Sequence, residues 1–92
     1  IVGHVGDGNF HVLFMLDPDD SDEVRRVKEC NQRIVERAIA MGGTCTGEHG
    51  VGVGKMDYLP IEHGEDAVDL MRTLKRAYDP DNIMNPGKMV RL

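Results

Sequence analysis

Two short segments of the sequence contain most of the residues whose types and spacing could support chemistry. One includes His4 and His11 in a glycine-rich stretch, and the other includes Glu48 and His49 between two glycines. Two imidazoles and a carboxylate are a ligand set of catalytic zinc sites with an open coordination position, whereas structural zinc sites are usually closed and rich in cysteine. The glycines let backbone and ligand approach closely. We therefore expect a metal at His4, His11 and Glu48, with His49 as a spare imidazole.

The roles of Glu48 and His49 depend on how the backbone bends between them. Successive side chains of an extended segment point to opposite sides, but the flanking Gly47 and Gly50 permit a bend. Glu48 could then bind the metal while His49 faces a substrate as a general base, a role that suits a group with a near-neutral pKa. On these residues alone, a solvated Glu-His pair in a flexible loop remains an equally good interpretation.

A β-hairpin over residues 1–16 is predicted to position the two histidines. Its second strand, Phe10 to Leu16, is apolar and rich in strand-forming residues, and Asp7-Gly8 is a strong signal for a two-residue turn. With that turn His4 lies directly opposite His11, and opposed residues have Cβ atoms ~5 Å apart. Asn9 would share the face of the histidines. The other face would be apolar, with Val5, Phe10, Val12 and Phe14.

Two amphipathic helices are predicted after the hairpin. Asp20 and Glu23 form a capping-box pattern, and apolar residues then repeat at helical spacing until Gly42-Gly43 ends the helix. This helix is expected to pack on the apolar face of the strands and to bury Cys30. The second helix is predicted over Glu65 to Tyr78. Its apolar face would contain Ala67, Leu70, Met71, Leu74 and Tyr78.

The connecting segments complete the predicted fold. Thr44-Cys45-Thr46 favours a short strand, and a short helix is expected over Lys55 to Leu59, stopped by Pro60. Asp79-Pro80 is expected to end the last helix before a turn-rich tail. The order strand, strand, helix, strand, helix, helix predicts an α+β fold with layered packing. In it, an antiparallel β-hairpin and a short strand pack with amphipathic helices, and the C-terminal part is helical.

Composition excludes several classes of function. The net charge of −5, from 16 acidic and 11 basic residues, is unsuited to nucleic-acid binding, and no apolar run approaches the ~20 residues of a membrane span. The glycine segment 50–55 matches neither the phosphate loop nor the dinucleotide fingerprint. Cys30 and Cys45 are interpreted as reduced thiols of an intracellular protein. Because 92 residues bury only a modest core and Ile1 begins a strand-like run, we interpret the chain as a C-terminal fragment.

The sequence resembles the C-terminal part of FAD-linked oxidases of the vanillyl-alcohol-oxidase type. The resemblance covers essentially all 92 residues and rests on three segments in order: residues 3–11, residues 42–50, and residues 79–88, which end in Asn85-Pro86-Gly87-Lys88. Within this family the sequence is most similar to the group of D-lactate dehydrogenase, glycolate oxidase and D-2-hydroxyglutarate dehydrogenase. The residues at Val5, Phe10 and Thr44-Cys45-Thr46 look closest to D-lactate dehydrogenases that pass electrons to a cytochrome.

The resemblance implies a metal-assisted oxidation. In such enzymes the positions of His4, His11 and Glu48 hold a divalent metal, usually zinc or manganese. This metal binds a D-2-hydroxy acid and acidifies its hydroxyl group. The position of His49 matches the base that takes the hydroxyl proton, while a hydride leaves C2 for N5 of the flavin.

Two further residues are carried over from the family. Asn9 matches an asparagine close to the substrate, and Asn85 matches a residue close to the flavin ring. On this reading, residues 1–92 are the C-terminal part of the substrate and metal domain, and the N-terminal domain that binds most of the FAD is absent. The fragment alone is then expected to retain no flavin and to be inactive.

Other features of the function stay open at the level of the sequence. The electron acceptor could be a cytochrome, a quinone or an electron-transfer flavoprotein, and the substrate could be D-lactate, glycolate or D-2-hydroxyglutarate. Bacterial cytoplasm, the inner face of a membrane and the mitochondrial matrix all fit. The alternatives to an enzyme are a small metal-binding module without redox chemistry and a non-catalytic interaction domain.

Overall fold

The computed structural model describes residues 1–92 and contains three α-helices and a two-stranded antiparallel sheet. This composition confirms the α+β class predicted from the sequence. The chain divides into two compact units, Ile1–Gly43 and Thr44–Leu92. The first unit contains the hairpin and the longest helix, and the second contains the two shorter helices.

The hairpin of the first unit is shorter than predicted and has a different register. Strand β1 spans Val2–His4 and strand β2 spans Asn9–His11. Their connection is a turn of 3₁₀ helix over Val5–Asp7 followed by Gly8, whose φ of 70° is left-handed and whose N–H donates to the Val5 carbonyl at 3.0 Å. Because this connection has four residues rather than two, His4 lies opposite Asn9 and not opposite His11. The predicted register was wrong.

Strand β2 ends at His11, although a strand to Leu16 was predicted. In the observed register Val2 pairs with His11, so only Ile1 remains to face Val12 and β1 offers no partner beyond it. The segment 12–16 still alternates between half-buried and exposed side chains, as an extended segment with one protected face does.

Helix α1 spans Ser21–Ala40 and begins as the sequence predicts. The carboxylate of Asp20 accepts the backbone N–H groups of the second and third helical residues, both at 3.0 Å. Glu23 does not complete the reciprocal capping box, because its carboxylate accepts the N–H of Asp17 at 2.9 Å instead. The helix ends before Gly42, which adopts a left-handed φ of 83°.

The expected packing of α1 over the strands is not observed. Val35 is the only buried residue of the helix, and α1 forms no substantial interface with either strand. Cys30, which was predicted to lie in the core, is exposed. A hairpin with three-residue strands has too little apolar surface to cover a 20-residue helix.

The second unit contains a turn of 3₁₀ helix over Met56–Tyr58, helix α2 over Leu59–His63 and helix α3 over Glu65–Tyr78. The predicted bounds of α3 are confirmed. Pro60 was expected to stop a helix but lies in the first turn of α2. Proline is favoured there because the N–H that it lacks has no intrahelical partner at that position.

The predicted strand at Thr44-Cys45-Thr46 does not form. The segment is an irregular loop in which the Thr46 hydroxyl donates to the Gly50 carbonyl at 2.9 Å. Its backbone is held by side-chain acceptors rather than by a neighbouring strand, since the N–H of Cys45 donates to Glu62. The β propensity of threonine is therefore overridden by hydrogen bonds that involve side chains within the loop and from α2.

The core of the second unit is small and uses a different face of α3 from the one predicted. Leu59, Val68 and Val90 are buried together, with Val51 and Met71 packed against them. The predicted apolar face was wrong at three of its five positions, which are largely exposed: Leu70 at 61%, Leu74 at 50% and Tyr78 at 84%. The spacing of apolar residues along α3 is compatible with burial of either face. Packing against α2 and the C-terminal segment covers the face that contains Val68.

Candidate functional site

The hairpin places three predicted site residues on one face. His4 lies directly opposite Asn9, and His11 lies two residues further along β2, where side chains share a face. The two histidines are therefore diagonal neighbours, a relation that typically separates residues by about 7–8 Å. The expected common face is retained because the predicted and observed registers differ by two residues, and an even shift leaves every side chain on its face.

Glu48 and His49 lie in the loop of the second unit between two glycines. Their functional atoms, Glu48 Oε1 and His49 Nε2, are 3.6 Å apart, and the side chains are 41% and 76% exposed. Gly50 has a left-handed φ of 79°, so the loop is bent rather than extended. A carboxylate beside an imidazole can orient the ring.

The start of this loop is anchored by a carboxylate that the sequence analysis did not single out. Glu62 of α2 accepts the Cys45 backbone N–H through Oε2 at 2.8 Å. Burial works to raise the pKa of Glu62, but hydrogen bonds from the Cys45 backbone and the Thr44 hydroxyl outweigh it, and the pKa is lowered. No sequence pattern links two residues 17 positions apart, so only the folded chain reveals this contact.

Cys45 itself is buried and is not an activated nucleophile. Burial raises the pKa of its thiol, and its hydrogen bond to Glu62 and the charge of that carboxylate raise the pKa further, against a smaller opposing effect of Lys55. A thiol with a raised pKa is mostly protonated at neutral pH and reacts slowly. Cys45 therefore serves as a packing residue at the base of the loop.

Asn85 lies in the C-terminal segment of the second unit, on an exposed turn. Its φ of 48° is left-handed, and its carbonyl accepts the N–H of Lys88 at 3.3 Å. Asparagine tolerates this backbone conformation better than most residues other than glycine. The turn predicted from Asn85-Pro86-Gly87-Lys88 is thus present.

Asp79 is a buried carboxylate whose importance the sequence analysis missed. The sequence predicts only that Asp79-Pro80 ends α3. Asp79 Oδ1 accepts the N–H of Ile83 at 2.9 Å, and Oδ2 accepts the N–H of Met84 at 2.8 Å and the ammonium group of Lys75. The hydrogen bond from Lys75 is the main reason that the pKa of Asp79 is lowered. The spacing of Lys75 and Asp79, four residues apart, was the available signal.

Comparison with known proteins identifies the class. Residues 1–89 match the family of FAD linked oxidases, C-terminal domain. The match covers nearly the whole chain, so the chain belongs to this family. The resemblance inferred from the three sequence segments is confirmed.

Several curated proteins are similar over the whole chain. It is 56% identical over 92 residues to a probable mitochondrial D-lactate dehydrogenase of Danio rerio, covering 100% of this chain and 18% of that protein. It is 48% identical over 90 residues to the mitochondrial D-lactate dehydrogenase [cytochrome] of Arabidopsis thaliana, covering 98% of this chain and 16% of that protein. It is 49% identical over 87 residues to the glycolate oxidase subunit GlcD of Bacillus subtilis (strain 168), covering 95% of this chain and 18% of that protein.

The chain therefore spans less than a fifth of the length of these relatives. The activities in their names belong to proteins that are more than five times longer. Within the chain itself, no helix has both the length and the apolar character needed to cross a membrane.

Proposed function

We propose that residues 1–92 are the C-terminal part of an FAD-dependent dehydrogenase that oxidises a D-2-hydroxy acid to the 2-oxo acid. D-Lactate is the favoured substrate, and glycolate is the second. The observation that carries the proposal is the common face of His4, Asn9 and His11 on the hairpin, in a chain that belongs to the FAD-linked oxidases. Imidazole nitrogens are the commonest side-chain ligands of protein-bound metals.

The donor set fits a divalent metal. His4 and His11 supply two imidazole nitrogens, and Glu48 supplies a carboxylate oxygen, which together leave coordination positions for a substrate. Zinc and manganese both accept these ligands. When bound, the metal supplies Lewis acidity that lowers the pKa of the substrate hydroxyl.

The remaining residues have roles in proton transfer, substrate orientation and flavin contact. His49 would accept the hydroxyl proton at Nε2, which lies 3.6 Å from Glu48 Oε1. Asn9 orients the substrate through its carboxamide. Asn85 would contact the flavin ring. The flavin, held mainly by an N-terminal domain, would supply a two-electron acceptor when bound.

The partner that reoxidises the flavin is a cytochrome, a quinone or an electron-transfer flavoprotein. The cytochrome is favoured by the name of the Arabidopsis relative. The Danio and Arabidopsis relatives are also named as mitochondrial. We propose the mitochondrion for a eukaryotic source, and the cytoplasm or the inner face of the membrane for a bacterial source. The chain alone is expected to be inactive.

Anaerobic flavin bleaching in the full-length parent protein tests this proposal. D-Lactate, glycolate or D-2-hydroxyglutarate is added before metal removal, after it, and after zinc or manganese is returned. His49→Ala is compared with His63→Ala, a matched control because His63 also follows a glutamate, with Nε2 3.7 Å from Glu62 Oε1. We expect His49→Ala to slow bleaching about 100-fold or more, the usual contribution of a general base, and His63→Ala to leave the rate unchanged.

Each alternative predicts a different result. Bleaching that is indifferent to metal removal would retain the flavoenzyme and refute the ligands His4, His11 and Glu48. Bleaching that survives His49→Ala unchanged would refute the base. A parent that binds metal but shows no bleaching with any of these acids would favour a metal-binding module without redox chemistry.

A further inference from the structure

The segment that carries Asn85 is anchored firmly at its C-terminal end. Val90 is buried in the core of the second unit. The N–H of Met89 donates to the carbonyl of Gly52 at 2.7 Å. Residues 80–88 therefore form a loop whose far end is joined to the folded body by both apolar packing and a short backbone hydrogen bond.

The near end of the same loop is anchored by Asp79. This carboxylate is buried at the end of α3, and both of its oxygens accept backbone N–H groups, from Ile83 and from Met84. The ammonium group of Lys75 donates to the carboxylate and also to the Met84 carbonyl. The Lys75–Asp79 pair thus holds the backbone of the two residues that immediately precede Asn85, at both N–H groups and at one carbonyl.

The backbone that these bonds hold contains two residues in the left-handed region. Asn82 and Asn85 both have left-handed φ angles, 50° and 48°. Such angles are uncommon for residues other than glycine, although asparagine adopts them more often than most. Ile83 and Met84 lie between the two asparagines, so the hydrogen bonds of Asp79 act between the two left-handed residues.

We propose that Asp79 is a positioning residue, with Lys75 as its partner, and that it sets the place of Asn85 at the flavin. The inference rests on the proposed function, because the flavin contact of Asn85 is part of that proposal. Asp79 does not touch substrate or flavin in this mechanism. It acts through the backbone of Ile83 and Met84, and Lys75 neutralises its buried charge.

The test uses the full-length flavoprotein with four single substitutions. Asp79→Asn removes the charge and one strong acceptor, and Asn85→Ala removes the proposed flavin contact. Asp69→Asn is the matched control, since Asp69 lies on the same helix in an exposed ion pair with Arg72. Val68→Ala controls for lost stability, because Val68 is buried in the core that α3 helps to form.

Two readouts are measured: amide hydrogen exchange at Ile83 and Met84, and the visible absorption spectrum of the bound flavin. We expect Asp79→Asn to speed exchange at both amides by about tenfold or more, since it weakens hydrogen bonds to a charged acceptor. We also expect it to shift the flavin spectrum in the same direction as Asn85→Ala. Asp69→Asn and Val68→Ala should leave the flavin spectrum unchanged.

The outcomes separate this inference from the proposed function. Unchanged exchange in Asp79→Asn, or an equal spectral shift in Val68→Ala, overturns the positioning role. A shift in Asn85→Ala without one in Asp79→Asn overturns it as well, while the flavin contact of Asn85 stands. Faster exchange with no spectral shift in either variant refutes the flavin contact itself and, with it, the link from Asp79 to the flavin.

Discussion

Two loops of the second unit carry predicted site residues. Each loop is held by one carboxylate that was not among the predicted metal ligands. Glu62 accepts the N–H of Cys45, three residues before Glu48. Asp79 accepts the N–H groups of Ile83 and Met84, directly before Asn85. In both loops a carboxylate accepts backbone N–H groups that no neighbouring strand could bond. The loops can therefore stay irregular and expose polar side chains.

The contact between Glu62 and Cys45 predicts a change in thiol reactivity. Glu62→Gln removes a negative charge that raises the pKa of the Cys45 thiol, so the thiolate fraction at neutral pH should rise. We expect alkylation of Cys45 by iodoacetamide to become several-fold faster, as followed by peptide mass spectrometry. Glu65→Gln, at an exposed residue of α3, should not alter the rate. Equal alkylation rates in the wild type and Glu62→Gln would show that the charge of Glu62 does not raise the pKa of the Cys45 thiol.

The lowered pKa of Asp79 predicts a loss of stability in acid. Its hydrogen bond from Lys75 and those from Ile83 and Met84 favour the charged form in the folded state. The stabilisation is complete above the unfolded-state pKa of about 3.9 and is lost as the pH falls through the lower folded-state pKa. Urea unfolding of the parent protein should therefore show a steeper decline below about pH 4 in the wild type than in Asp79→Asn. Parallel declines in the two proteins would rule out this contribution.

At the scale of elements, the hairpin depends on one close approach of its strands. A Cβ atom at Gly3 would lie 2.4 Å from the Asn9 carbonyl oxygen and 2.5 Å from Phe10 Cα. Both contacts are with backbone, so β1 and β2 would have to move apart. Any such movement displaces His4, Asn9 and His11 relative to one another.

Gly3→Ala should accordingly weaken metal binding without touching a ligand. We expect the affinity of the parent protein for zinc or manganese to fall by about 10-fold or more, as it does when groups that orient metal ligands are changed. Gly6→Ala is the matched control, because a Cβ atom there meets nothing within 4 Å. Competition with a chromophoric chelator measures both affinities. Similar losses in the two variants would show that general damage to the turn, not strand spacing, is responsible.

Helix α1 depends on its N-terminal cap. Asp20→Ala removes the acceptor of two backbone N–H groups, and we expect a loss of about 1 kcal/mol in the free energy of unfolding. Amide hydrogen exchange in the first turn of α1 reports the change directly. Asp19→Ala is the control, since the Asp19 side chain lies outside the cap. If both substitutions have the same effect, the cap does not stabilise the helix start.

At the scale of the whole molecule, little apolar surface is covered. The buried apolar residues of the chain number six: Val35, Cys45, Met56, Leu59, Val68 and Val90. Sixteen large apolar residues are exposed, among them Met15, Leu70 and Tyr78. Such a ratio is typical of a segment that needs further protein surface for its stability, which agrees with its share of less than a fifth of the relatives' length.

The isolated 92-residue chain should therefore unfold without a sharp transition. We expect scanning calorimetry to give an unfolding enthalpy well below the about 0.7 kcal/mol per residue of ordinary globular proteins near 60 °C. The full-length parent protein, measured in the same buffer, provides the reference. A cooperative transition of normal enthalpy in the isolated chain would show that these few buried residues are enough to stabilise its fold.

Features that depend on neighbouring residues could be predicted from the sequence alone. The bounds of α3, the cap at Asp20, the end of α1 before Gly42 and the turn at Asn85 all follow from local backbone preferences and hydrogen bonds. The α+β class follows from the order of these elements. The family is also readable in the sequence, because three separated motifs occur in the right order.

The choice of buried faces and the contacts between distant residues depend on packing in the folded chain. The four-residue connection set the register of the hairpin, and packing with α2 and Val90 selected the Val68 face of α3 over the Leu70 face. The contacts of Glu62 with Cys45 and of Asp79 with Met84 join residues whose spacing carries no periodic signal. Helical and strand periodicities specify faces but not their partners, and a side-chain acceptor for a loop N–H exists only once the chain has folded.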